Sequence, residues 1–376
     1  MIQQISFKNY KLFKALQELK LCPITILIGK NSSGKSAIAK LPTLIGGSLT
    51  GEFSQPLKWE NEGIKLGNSY RDLVYNKNIT TSYLQLSIES EEEKLDVTIT
   101  GDSKDRTEFL EYIFNNEPLD LKKNKFRGFT NDKFKFKNLN LNFDYIGAFR
   151  KIPEPNYTNS FDVYQKIGIE GENAYPILIQ DFEDSDGELI TKVSQWYEAN
   201  FEGWNIDILP TSAPEPTFQV VFSNKDINQI NIVNVGQGMN QALPLIVRSY
   251  LFDEEDVLII IEEPETHLHP AAHGNLAERF VESYLENNKK NYLIETHSKN
   301  FVLRMRRLVA EGKLKKEDLA IYYVDFKEDI NQSIIQRIEV DEFGGVKDWP
   351  EHIFSETLTE TRAIRNAQLK HLADVG

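Results

Sequence analysis

The chain carries one cysteine, three methionines and six histidines among 376 residues. Cys22 has no partner within it, so a disulfide-stapled fold is excluded and a reducing compartment suits the protein. Long apolar runs are missing too. The longest aliphatic stretch, residues 257–261, falls far below the roughly 18 residues a membrane span needs, and Met1-Ile-Gln-Gln opens no signal peptide. The expectation is a soluble, cytoplasmic protein with no membrane partner. Basic residues are in deficit, 43 against 57 acidic ones, and the net charge of −14 repels nucleic acid and acidic membranes alike. Glycine (21) and proline (14) are too few for a collagen-like or low-complexity chain. Internal repeats are absent. With no heptad array and no Cys-x-x-Cys hook, a long coiled-coil arm is not expected.

What remains, 40% hydrophobic and 27% charged residues, is ordinary globular composition, and the length implies about two to three domains. Residues 2–7 and 16–21 alternate like strands. Residues 24–28 form a short apolar run followed by a helical pattern from Lys35. Residues 83–88 and 95–100 read as antiparallel strands, and 139–145 as another. Residues 174–201 are helical in pattern with a break near Asp186-Gly187, and strands return at 218–222 and 230–233. The last third alternates: helix 239–251, strand 257–261, helix 271–285, strand 292–295, helix 300–310, strand 320–324. Such alternation predicts an α/β fold with a parallel sheet. We divide the chain into a first lobe with antiparallel strands (1–150), a mainly helical insertion (151–203), a second lobe (204–325) and a C-terminal strand and tail (326–376).

Gly29-Lys30-Asn31-Ser32-Ser33-Gly34-Lys35-Ser36 matches G-x-x-x-x-G-K-[ST] between an apolar strand and a helix. Glycines let the backbone wrap phosphates, amides and a helix N-terminus supply positive potential, and Lys35 adds a mobile cation. The Ser36 hydroxyl is the expected magnesium contact. Such a loop needs a carboxylate at a neighbouring strand end, and Glu262-Glu263 after residues 257–261 supplies it. Glu262 is the metal-side candidate and Glu263 the base for the attacking water. Ser36 and Glu262 lie 226 positions apart, too far for a compact ring-motor core. Gly236-Gln237-Gly238 opens the helix before the acidic strand, a second anion-binding geometry.

This ordered series resembles the ABC-type head ATPases, the class of SMC-like, recombination-repair and overcoming-lysogenisation-defect proteins. It looks closer still to free-standing bacterial AAA-family ATPases found in phage-defence operons. The most specific segments are Glu263-Pro-Glu-Thr-His-Leu-His-Pro270 and Glu295-Thr-His-Ser298, and the resemblance extends over Gly67 to Val74, Tyr145 to Tyr157 and Trp349-Pro350. It implies an ABC-ATPase head holding ATP and Mg2+ between two copies, a homodimer in which Gly236, Gln237 and Gly238 of one copy meet the γ-phosphate on the other's Lys35. His297 matches the switch histidine. Two positions depart from the family: Val235 stands where a serine is usual, and Glu262 where an aspartate is usual. Slow hydrolysis is therefore expected. Arg150 is the candidate near the glutamine-loop position, with a structural corner as its alternative.

Other features compete. Residues 122–137 carry seven basic side chains interleaved with Phe126, Phe129, Phe134 and Phe136, and residues 304–316 carry six. Each is either a DNA-binding patch or a solvated face. His267, His269, His273 and Glu265 invite a zinc reading but lack a proper ligand spacing. The leading functional expectation is a dimeric ATP-driven switch for a separate effector, a nuclease or toxin, with weak DNA binding at most. The alternatives are an SMC-like DNA-repair ATPase and a transporter's nucleotide subunit.

Overall fold

The computed structural model describes residues 1–375 apart from 135, 159–161, 185–186, 212–216 and 351–352, and it leaves out the side chains of 356–358, 369, 370 and 372–375. In chain order come β1 (Gln4–Lys8), β2 (Gln17–Lys20), β3 (Ile24–Gly29), α1 (Lys35–Leu49), β4 (Leu84–Glu89), β5 (Lys94–Gly101), β6 (Thr107–Phe114) and β7 (Phe143–Ile146). Then follow α2 (Ala174–Asp184), α3 (Glu188–Asn200), β8 (Asn205–Pro210), β9 (Thr217–Ser223), α4 (Gln237–Tyr250) and β10 (Val257–Glu262). The chain continues with α5 (Pro270–Glu286), β11 (Lys290–Glu295), α6 (Lys299–Ala310), β12 (Leu319–Lys327), β13 (Gln332–Ile338) and α7 (Glu356–Val375).

The central sheet has the order β7-β10-β11-β3-β12-β13. Its first five strands are parallel, and β13 returns antiparallel along β12. An antiparallel sheet, β2-β1-β4-β5-β6 with the short strand Glu117–Pro118, lies apart from it. The sequence expectation of an α/β fold with both kinds of sheet holds. Two expected strands are shorter than their patterns: 139–145 narrows to β7, and 230–233 yields only Ile230–Asn231 before a 3-10 turn over Ile232–Asn234. The expected helix break falls between Asp184 and Glu188; Asp186 itself lies outside the described residues, while Gly187 takes φ 71 there.

Period-two alternation explains why this sheet is buried on both faces. Ile259 and Ile261 of β10 join one core with Ile24, Ile26, Ile294 and the helices α2 to α6. Leu258 and Ile260 join the other with Leu27, Leu293, α1 and the antiparallel sheet. Every residue of β10 is buried. At the opposite end from the loops, Arg248 is 1% exposed and forms a buried ion group. Its guanidinium meets Asp144 at 2.6 Å and grips Asp253 through two bonds of 2.9 Å. The three residues tie α4 to β7 and to the turn before β10.

Removing one partner of a buried ion group leaves uncompensated charge. Arg248→Ala is therefore expected to cost about 3–5 kcal/mol in urea unfolding. Removal of the exposed Lys123, paired with Asp120 at 3.3 Å, should cost under about 1 kcal/mol. Equal midpoint shifts for the two variants would refute this ranking.

Candidate functional site

Parallel strands end at one edge, and the loops that leave them there hold the candidate chemistry. Strands β10, β11 and β3 are neighbours, with Glu262 opposite Glu295 and Glu295 opposite Leu27. The register puts two carboxylates side by side next to the phosphate loop. Gly29 ends β3 at φ 153, where a Cβ would run into the Val324 carbonyl, so the loop can leave the sheet only from glycine. Within the loop the Lys35 ammonium donates to the carbonyls of Lys30 (2.8 Å) and Gly29 (3.2 Å). It also lies 3.8 Å from Glu295. Gly34, at the N-cap of α1, offers no side-chain cap, so the first amides of that helix are left for a ligand.

Ser36 donates to Glu295 Oε1 at 3.1 Å. The serine expected on magnesium is thus in contact with Glu295, which sequence reasoning had not assigned; Glu262 is 3.5 Å from Lys40. Both acids are nearly closed off, 8% and 3% exposed. Glu262 Oε1 and Glu295 Oε2 are buried without a hydrogen-bond partner. A Glu295 oxygen without a partner and a Glu262 oxygen met by Lys40, with the Ser36 hydroxyl beside Glu295, are the donor set a hard divalent cation takes, so these residues fit Mg2+. Burial and the neighbouring Glu262 push the Glu295 carboxyl up to about 7. The same burial, with Glu262 beside it, drives the Tyr145 phenol far upward.

Glu263 follows at φ 45, an uncommon conformation for a side-chain-bearing residue. Two bonds hold it there: its N–H donates to the Glu295 carbonyl at 2.8 Å, and its own carbonyl accepts from Arg150 at 3.3 Å. The Glu263 carboxylate accepts from Thr266 at 3.2 Å and lies 3.8 Å from His297 Nε2. Burial first, and then Lys35, lowers the His297 imidazole below its usual value, which favours the neutral ring. Glu265, considered in the sequence only beside the loop histidines, accepts from the Thr296 hydroxyl at 2.8 Å and the main-chain N–H of His297 at 2.5 Å. It fixes the backbone that carries the imidazole.

Arg150 is buried, donates to Gly147 and Glu263 carbonyls, and its own carbonyl accepts from Gln241 of α4 at 3.3 Å. The corner after β7 thus touches both the Glu263 turn and the helix that begins at Gly236. Gly236 and Gln237 are exposed, and Gly236 caps α4 with no side-chain bond. Gly238 is different: a Cβ there would stand 2.7 Å from the His267 carbonyl. Its lack of a side chain therefore serves packing within the chain as well.

The zinc grouping does not form. His269 accepts from the Ala271 N–H as a helix cap. His273 bonds Ser298 at 2.7 Å and the Leu268 carbonyl at 3.1 Å. In the first stretch the rings are not open, although Lys122, Lys125, Arg127, Lys133 and Lys137 are exposed. Phe129 is buried, and Phe126, Phe134 and Phe136 pack on the same core. Lys135 lies outside the described residues. In the second stretch Arg304 pairs with Glu278, Arg307 with Glu311, Lys313 with both acids and Lys316 with Glu342. Among the described residues, no helix is long and apolar enough to cross a membrane.

The family described as an AAA ATPase domain matches residues 151–302, which hold Gly236, Glu262, Glu263 and His297 but not the phosphate loop. A family described as a protein of unknown function, DUF3696, matches residues 314–364. No curated protein matches the chain. Among solved structures it is similar to an SMC head bound to the C-winged helix domain of ScpA, at 11% identity and a TM-score of 0.52, over 90% of this chain and 98% of that one. It is also similar to the SMC head domain from Thermotoga maritima (14%, TM-score 0.46, 90% and 99% covered). A third is the SMC head with an extended coiled coil bound to the C-terminal domain of ScpA derived from Pyrococcus furiosus (11%, TM-score 0.49, 97% and 99% covered). The chain has the SMC-head fold, and its resemblance to the SMC-like, ABC-type ATPases holds.

Two outcomes follow from this geometry. Gly238→Ala should cost about 1–3 kcal/mol in urea unfolding through the clash with His267, whereas Gly236→Ala, whose Cβ meets nothing within 4 Å, should cost under about 1 kcal/mol. Equal costs would remove the packing role. Glu295 binds its proton more tightly folded (about 7) than unfolded (4.5), so the nucleotide-free, metal-free protein should lose stability as pH rises through that window. Melting curves of Glu295→Gln should lack this component; an unchanged pH slope would contradict it.

Proposed function

We propose that the chain is an ATP-binding and ATP-hydrolysing switch that works as a homodimer and controls a separately encoded effector, a nuclease or toxin, in bacterial anti-phage defence within the cytoplasm. The enzymatic part is carried by one observation: Lys35, Ser36, Glu262, Glu263, Glu295 and His297 converge at the end of three adjacent parallel strands. The homodimer is supported by the exposed, uncapped start of α4, where Gly236, Gln237 and Gly238 can offer amides to a nucleotide held by a second copy. The effector and the defence role rest on the resemblance of residues 263–270 and 295–298.

In this reading Gly29, Lys30, Asn31, Ser32, Ser33 and Gly34 wrap the phosphates with their backbone, and Lys35 binds the terminal ones. Ser36 and Glu262 hold Mg2+ with Glu295 beside them; when bound, the ion neutralises phosphate charge. Glu263 takes the proton of the attacking water, and its fixed backbone keeps the carboxylate from drifting. His297, its backbone anchored through Glu265, hydrogen-bonds the γ-phosphate or that water. Glu262 is one methylene longer than the usual aspartate, which supports slow turnover.

The second reading, an SMC-like head that grips duplex DNA, needs a basic surface. The pairing of Arg304, Arg307, Lys313 and Lys316 with acids, and the net charge of −14, support weak DNA binding instead. One solved relative is bound to a domain of ScpA, which makes a protein the favoured class of partner.

Glu263→Gln keeps size and hydrogen bonding but cannot accept a proton. Calorimetry should show ATP still bound, light scattering an accumulated ATP-bound dimer, and phosphate release a rate lower by about 10²- to 10⁴-fold. Lys35→Ala should lose ATP binding itself. Wild-type turnover in both variants would sink the site assignment.

A further inference from the structure

We propose that Glu263, Glu295 and His297 form a binding site for one divalent first-row transition ion, which the protein fills in the absence of nucleotide. One oxygen from each carboxylate and one imidazole nitrogen lie within 4.8 Å of one another, the one such grouping among the described residues. Ligand atoms around a single ion with bonds of about 2.1 Å can stand at most about 4.2 Å apart, so closure needs shifts of only about half an ångström. Glu263 and His297 are already 3.8 Å apart.

A cluster of acids alone binds nothing in particular; three further features make this one a site. Glu295 is 3% exposed, and its Oε2 has no hydrogen-bond partner while Oε1 is committed to Ser36. A buried carboxylate oxygen without a partner costs free energy that a cation would recover. The nearest competing cation, Lys35, stands 3.8 Å from Glu295 but bonds to the Gly29 and Lys30 carbonyls. Finally, the backbone that carries the imidazole is fixed, because Glu265 accepts from the main-chain N–H of His297 and from the Thr296 hydroxyl.

The ligand types select the ion. Magnesium and calcium prefer oxygen alone, whereas two carboxylates with one imidazole suit manganese, cobalt or zinc. This set shares Glu295 with Ser36 and Glu262, which we assign to Mg2+ with ATP, and adds Glu263 and His297, so the transition ion is held only when nucleotide is absent. A bound transition ion would occupy Glu263 and His297, the two side chains we place on the attacking water, and so hold the nucleotide-free protein inactive. That consequence rests on the ATPase reading; the binding itself does not.

Cobalt is the probe, because its visible absorption reports nitrogen and carboxylate ligation directly. Metal-stripped full-length protein without nucleotide should take up one Co2+ per chain. His297→Ala and Glu263→Gln should each weaken that binding at least about tenfold. His267→Ala, in the neighbouring exposed loop, should leave it unchanged. Circular dichroism checks that the variants are folded, and Glu263→Gln keeps the test open should His297→Ala be unstable. Absence of Co2+ uptake by the wild type, or uptake that depends on His267 and not on His297, would overturn the proposal. Calorimetry of ATP with Mg2+ on the same preparation tests the ATPase reading separately, since it needs no cobalt.

Discussion

The alignment of β10 against β11 and of β11 against β3 is the constraint on which the rest of the site depends. Parallel hydrogen bonding fixes Glu262 opposite Glu295, and two bonds just beyond the strands, Glu263 N–H to Glu295 and Thr296 N–H to Leu27, carry the register into the loops. A slip of one residue would turn Glu262 and Glu295 onto the other face and put Ile261 and Ile294 in their place. Both faces of β10 are packed into hydrophobic cores, so such a slip would bury the carboxylates among aliphatic side chains. The cores hold the register, and the register places the acids.

Placing them there is unfavourable. Two glutamates side by side in a nearly closed pocket hold Glu295 at about 7 instead of 4.5, a penalty of roughly 3 kcal/mol once it is ionised. The orphaned oxygens add to that cost. A fold under selection for stability alone would replace one of them. Strain in Glu263 at φ 45 points the same way, because such conformations persist only where the surroundings over-determine them. Stability is given up along the same strand ends where cations and phosphate would be held, and the buried group around Arg248 lies at the other end of β10.

Much of this was legible in the sequence because it depends on local pattern. The phosphate loop is a contiguous motif, and the alternation of apolar and helical periods from residue 239 onward marks the parallel sheet. Glu295 was read only as part of a quoted segment, and Glu265 only as a companion of the loop histidines, since nothing local says that β11 lies between β10 and β3. A strand ending in glutamate just before Thr296-His297 was the available signal. Gly238 carries a second constraint that the sequence did not show: a Cβ there would meet the His267 carbonyl, from a loop nearly thirty residues away. Long-range neighbours, not residue types, were what the sequence withheld.

The basic stretches make the same point about charge. Counting lysines and arginines over residues 304–316 gives a patch, yet the acids that answer them lie at Glu278, Glu311 and Glu342, on other segments as well as within the stretch. Each paired cation has lost the free charge through which counterions would be released from a nucleic acid. In residues 122–137 the phenylalanines that would stack on bases are instead turned into the core under β5 and β6, with Phe114 against Phe134 at 4.8 Å. Stacking needs an open ring face. Paired cations over residues 304–316 and a net charge of −14 are together unfavourable for a polyanion.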